Sequence, residues 1–163
     1  MRYVKWIFVV LLLSSLTSFV GIDKSTRGLN VGDKAPSFSL SSALSTQSYL
    51  DNIQGKIVLL SFWASYNAES RIKNAALSAA LRIKPQHDVT MVSVSFDEYS
   101  SVFYETIRKD QIEAICLQEN EGNRSKLFKK YQLESGFGNY LLDENGIIIA
   151  KNISIEELSN YLN

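Results

Sequence analysis

Covalent chemistry at side chains needs a nucleophile, a base or a set of ligands, and this chain offers one cysteine, Cys116, and one histidine, His87. One thiol cannot close an intramolecular disulfide, so a dithiol cycle within the chain is excluded. One Cys with one His cannot make a Cys/His zinc site either, and neither a metal nor a cofactor is expected. Ser70 would act as a hydrolytic nucleophile only with a base in hydrogen-bond reach. His87 follows Pro85 at the far end of the helix that Ser70 opens. From Ser70 to Lys84 is 14 residues, on the order of 20 Å at helical rise. Glu69 is adjacent in sequence, and adjacent residues on a helix do not face one another. Cys116 lies in the short apolar run Glu113–Leu117. A core thiol is expected there, with an intermolecular disulfide as the alternative.

The elements that must position these groups follow from composition and pattern. The 163 residues are 45% hydrophobic, with 17 basic and 17 acidic side chains. That suits one globular domain and gives no reason to expect a nucleic-acid partner. Ile57–Trp63 is an apolar run of the kind that fills a buried central strand. The spacing of Ile72, Ala75, Ala76, Ala79, Ala80 and Ile83 predicts a helix over Asn67–Lys84, closed by Pro85. Val89–Phe96 alternates as a strand, Tyr99–Lys109 reads as a helix, Ala114–Leu117 as a strand and Arg124–Tyr131 as a short helix. Phe38–Leu40 and Ser48–Leu50 are short strand candidates.

Tyr140–Asp143 and Ile147–Lys151 flank Glu144-Asn145-Gly146, a hairpin whose glycine supplies the positive-φ position. Ser154-Ile155-Glu156-Glu157 is a capping box, opening a last helix to about Leu162. Lys126, Lys129 and Lys130 read as a solvated face. Asn123-Arg124-Ser125 and Asn152-Ile153-Ser154 match the glycosylation acceptor pattern, which polar loops often produce by chance.

The N-terminus is a separate object. Arg2 and Lys5 precede an uncharged apolar run from Trp6, diluted by serines and threonine before Phe19-Val20-Gly21. Residues 1–21 are expected to be a secretory signal peptide, cleaved after Ser18 or Gly21, with a retained anchor as the alternative. Membrane contact is expected only if that segment is uncleaved. Residues 22–32 read as a linker and 33–163 as the domain. The domain is therefore expected to be exported, to the periplasm or cell envelope.

Strand gives way to helix at Phe62-Trp63-Ala64-Ser65-Tyr66-Asn67-Ala68-Glu69-Ser70-Arg71, the kind of junction where open α/β sheets gather functional groups. Its surroundings resemble the peroxiredoxin-related, thioredoxin-like proteins. Val31-Gly32-Asp33-Lys34-Ala35-Pro36-Ser37-Phe38 is similar to their opening. Gly55-Lys56-Ile57-Val58-Leu59-Leu60-Ser61-Phe62-Trp63-Ala64-Ser65 is similar to the strand that leads to their active site. Leu141-Leu142-Asp143-Glu144-Asn145-Gly146-Ile147-Ile148 is similar to their late hairpin. The resemblance runs from about Val31 to Asn163 and is strongest to the extracytoplasmic thiol–disulfide oxidoreductases of bacterial envelopes. It implies an α/β, thioredoxin-like fold: a central mixed β-sheet flanked by helices, with a C-terminal β-hairpin and helix.

The departures bear on function. Those proteins follow Phe-Trp-Ala-Ser-Trp with Cys, two residues and Cys, whereas here Tyr66 is followed by Asn67 and Ser70 at the cysteine positions. Lys73 and Ala75 stand where an acid and a helix-kinking proline are common. The cis-proline position falls near Phe137, in Ser135-Gly136-Phe137-Gly138. Disulfide exchange needs a thiolate at the helix N-terminus and a second thiol to resolve the mixed disulfide. Asn67 fits the role of an N-cap instead.

No catalytic residue is expected. The resemblance implies a redox-inactive domain of the bacterial envelope that binds a protein or peptide through Trp63, Tyr66, Asn67 and Phe137. The competing expectation is that Trp63 packs beneath the helix and Phe137 fills the space of the missing proline. Two other functions stay open: an atypical oxidoreductase using Cys116 or an external thiol, and a structural membrane-anchored domain.

Overall fold

The computed structural model describes residues 27–40, 55–83 and 88–162. The N-terminal segment 1–21, Ser48–Leu50, Pro85 and His87 lie outside the described residues. Strand β1 is Ile57–Trp63, helix α1 Ala68–Ile83, β2 Val89–Ser95, α2 Ser100–Asp110, β3 Ile115–Gln118, α3 Lys126–Lys130, β4 Asn139–Leu142, β5 Ile148–Lys151 and α4 Ile155–Ser159. The sheet runs β3-β2-β1-β4-β5. Strands β1, β2 and β3 are mutually parallel, while β4 pairs antiparallel with both β1 and β5. The mixed sheet, flanking helices and terminal hairpin with its helix make this a thioredoxin-like α/β fold.

Strand β1 is central because both of its faces are buried. Val58, Leu60 and Phe62 join an aromatic-rich core with Phe96, Tyr131 and Tyr140 on one side. Leu59 packs with Leu77, Leu81 and Leu158 on the other. The turn between β4 and β5 closes on Gly146 at φ 78°, as its sequence requires. Ser154 and Glu157 form the reciprocal capping box, but α4 ends at Ser159, short of the expected Leu162.

Another expectation is corrected, and one is met only in part among the described residues. Phe38–Leu40 carries a β-bridge at Ser39, and α3 and the residue after it hold this stretch through side chains. Tyr131 Oη donates to the Pro36 carbonyl at 2.7 Å, Lys130 Nζ donates to the Ser37 carbonyl, and Phe38 packs against Phe62 and Tyr131. The buried face of α1 is Ser70, Asn74, Leu77, Ser78 and Leu81, while Ile72 and Ile83 of the expected stripe are 68% and 78% exposed. Small polar groups on the opposing surface explain the difference. Ser93 Oγ donates to Asn74 Oδ1 at 3.1 Å, and Ser78 Oγ accepts from the Glu113 amide at 2.8 Å.

Arg71 ties α1 to the end of α2 by a bidentate pair with Asp110, at 2.6 and 2.7 Å. The guanidinium's hydrogen bonds hold the Asp110 carboxyl below its ordinary value of 3.8. A carboxyl lowered on folding contributes stability that is fully present above the unfolded value and is lost as pH falls through the folded one. Asp110→Asn is therefore expected to cost about 1 kcal/mol at pH 7. The two proteins' denaturation midpoints should converge as pH drops below 3.8.

Candidate functional site

Strand β1 ends at Trp63, and Ala64–Asn67 carries the chain across the C-terminal edge of the sheet into α1. The turn is fixed by Asp97, which follows β2 and is buried. Its Oδ1 accepts from the Ser65 amide at 2.9 Å and from Ser65 Oγ at 2.6 Å, while Oδ2 accepts from Ser95 Oγ at 2.7 Å. One carboxylate thus ties the ends of the two central parallel strands together and sets the direction in which residue 66 leaves the sheet. Sequence reasoning passed over Asp97; an acid directly after a central strand, at the edge where α/β sheets bind ligands, is the signal that was available.

Asn67 is the N-cap of α1: its Oδ1 accepts from the Ser70 amide at 2.9 Å, and its carbonyl accepts from the Arg71 amide at 3.0 Å. Ser70 is buried, its Oγ donating to the Asn67 carbonyl at 3.1 Å and accepting from the Ala64 amide at 3.4 Å. Asn67 and Ser70 are therefore both spent on stabilising the first turn. A hydroxyl bound in this way, with no base beside it, has neither the access nor the activation a nucleophile requires.

The four candidate binding residues divide. Tyr66 is 68% exposed and meets Phe137 with ring centroids 6.4 Å apart at 61°. Phe137 is half-buried and continues inward to Phe96 at 5.8 Å and Phe128 at 6.0 Å, so it is both floor of the surface patch and roof of the core. Gly136 sits at φ 128°, and a side chain at Gly138 would collide with the Asn152 amide.

Trp63 does not belong to the patch. It is 0% exposed, its indole nitrogen donating to Ser93 Oγ at 2.8 Å beneath α1. The expectation that it contributes to a recognition surface is corrected. Its parity on β1 matches Leu59, on the face that α1 covers.

Burial, then the charges of Asp97 and Glu98, push the Tyr66 phenol above its ordinary value, so it stays protonated and neutral through the physiological range. Cys116 is half-buried rather than fully buried, because β3 is an edge strand. It packs against the cluster of Trp63, Phe103 and Ile112, and burial pushes its thiol up. A reactive thiol is shifted the other way.

A parallel-strand-to-helix junction on a five-stranded mixed sheet, with Asn67 capping the helix, defines a thioredoxin-like domain of the thiol–disulfide oxidoreductase type. The chain belongs to the AhpC/TSA family, whose model matches residues 31–151. A thioredoxin-like protein from Parabacteroides distasonis is similar at 36% identity and a TM-score of 0.73, covering 85% of this chain and 98% of that one. A thiol-disulfide oxidoreductase from Bacteroides fragilis is similar at 26% identity and a TM-score of 0.69, covering 80% and 97%. The C-terminal domain of another, from Bacteroides thetaiotaomicron, is similar at 25% identity and a TM-score of 0.71, covering 82% and 97%. No curated protein matches significantly.

Proposed function

We propose that this domain is a redox-inactive member of its family, exported to the bacterial envelope, that binds a polypeptide segment at the Tyr66–Phe137 face. The observation that carries the reading is the N-terminal turn of α1, where Asn67 and Ser70, which the resemblance aligns with the family's two thiols, bond to each other's backbone. Neither side chain can form or release a disulfide. Tyr66 beside them is exposed, and its neighbour Phe137 anchors the patch to the core. The basic, apolar and small-residue order of residues 1–21 supports export.

The names of the relatives favour an oxidoreductase, which in this chain leaves Cys116 or an external thiol. The raised thiol of Cys116 and its place on the edge strand, away from the α1 turn, argue against the first. The test is thiol–disulfide exchange by the purified exported form and its Cys116→Ala variant, with a disulfide-bonded protein substrate. Neither is expected to turn over above the uncatalysed rate. Turnover that disappears with Cys116→Ala would establish the oxidoreductase reading in place of this one.

A further inference from the structure

We propose that the first two turns of α1 with their cap, Asn67–Ala76, are a strap that unwinds and re-forms as one unit while the sheet stays folded, opening the buried polar layer of Asn74, Ser93 and the Trp63 indole nitrogen to solvent. This does not depend on what binds at the Tyr66–Phe137 face. A helical segment stays closed mainly through the apolar surface it buries. Within Asn67–Ala76 the buried side chains are Ser70 and Asn74, and neither is apolar. The segment's one large apolar side chain, Ile72, is 68% exposed. The apolar anchors of α1, Leu77 and Leu81, begin where the segment ends and pack with Leu59 and Leu158.

Both ends of the segment are fixed. Before it, Asp97 holds Ser65 by the amide at 2.9 Å and the hydroxyl at 2.6 Å. After it, Leu77 is wholly buried in the core. Between them the ties to the rest of the domain are single polar side chains. Arg71 pairs with Asp110, Lys73 Nζ donates to the Asn152 carbonyl at 3.3 Å, and Asn74 Oδ1 accepts from Ser93 Oγ at 3.1 Å. Ser70 bonds to the Asn67 carbonyl inside its own turn, and its tie outward is a long one, 3.4 Å from the Ala64 amide. Closure also leaves a cost in place. Asn74 is fully buried and its Nδ2 has no partner, so opening returns a desolvated amide to water. Trp63 takes its apolar contacts from Phe103 and Ile112 rather than from α1, so it keeps its place when the strap opens. The Ser93 hydroxyl that accepts from its indole nitrogen then meets solvent.

Hydrogen exchange of the exported form tests this, read amide by amide in the regime where exchange follows the opening equilibrium. After correction for intrinsic rates, the amides of Ile72–Ala76 are expected to exchange together, at least about tenfold faster than those of Leu59, Leu60 and Leu81. Their rates should depend only weakly on added urea, because the opening exposes little surface. A second variant separates the strap from the rest of the domain. Ile148→Val weakens the core on the opposite face of the sheet. It should speed exchange at Leu59 and Leu60 by about twofold to tenfold through easier global unfolding, while Ile72–Ala76 keep their rates. Ile72–Ala76 exchanging as slowly as Leu59, with the same urea dependence and the same response to Ile148→Val, would make α1 one unit with the sheet and overturn the strap. Rates that fall residue by residue from Ile72 to Leu81 would overturn it too, since that gradient is the mark of an end that frays.

Discussion

The double variant Asn67→Cys/Ser70→Cys, made in a Cys116→Ala background, is expected to gain thiol–disulfide exchange where the parent has none. The first turn of α1 already has the geometry. The residue 67 side chain faces the residue 70 amide at 2.9 Å, and the residue 70 side chain returns to the residue 67 carbonyl at 3.1 Å. A sulfur at 67 would therefore meet an unpaired amide and the positive end of the helix, the surroundings that lower a thiol's pKa from about 8.5 into the range of roughly 3.5 to 7.5. Losing the Asn67 cap costs about 1 kcal/mol in the reduced form, which the disulfide offsets once it closes. At pH 7 the double variant should react with a small disulfide at least about tenfold faster than a variant carrying one cysteine on an exposed helix face. Turnover of protein disulfides should stay slow, because the Tyr66–Phe137 ring pair stands beside the turn. Mass spectrometry of the oxidised form and a stopped-flow exchange assay read the two steps separately. A double variant that oxidises yet does not exchange would mean that the scaffold has lost more than its thiols.

What the sequence made legible was what depends on one stretch of chain. Strand β1 stood out because a strand buried on both faces needs seven apolar or small residues in a row, and Ile57–Trp63 supplies them. The hairpin was legible through Gly146, the last helix through the Ser154–Glu157 box, and the cap through Asn67. Each of these signals sits within four residues of the structure it specifies. The buried face of α1 was hidden for the opposite reason. Hydrophobic periodicity assumes an apolar interface, and here Asn74 and Ser78 face inward because Ser93 and the Glu113 backbone offer them partners from distant strands and loops. Asp97 was hidden likewise: its main partner, Ser65, is 32 residues away in sequence. Tyr66 and Phe137 meet although no local pattern links them.

Trp63→Ala is expected to destabilise the domain by about 3–5 kcal/mol, a large share of the roughly 5–15 kcal/mol available to a domain of this kind. The indole is fully buried and packs with Phe103 and Ile112, so its loss opens a cavity that a close-packed interface fills only in part. It also removes the donor that occupies Ser93 Oγ, the hydroxyl that in turn bonds Asn74. Among the described residues Asn74 Nδ2 already lacks a partner, so this small polar layer has no spare bond with which to absorb the change. Trp63→Phe keeps most of the apolar volume and loses the N–H, at a cost of about 1–2 kcal/mol. Denaturant unfolding would read both as lower midpoints with unchanged slope. The phenylalanine variant also separates packing from recognition. If Trp63 is purely a core residue, Trp63→Phe lowers stability while the Tyr66–Phe137 face binds a polypeptide segment as in the parent. If binding is lost while stability holds, Trp63 belongs to the recognition surface and its burial beneath α1 must open when the ligand arrives.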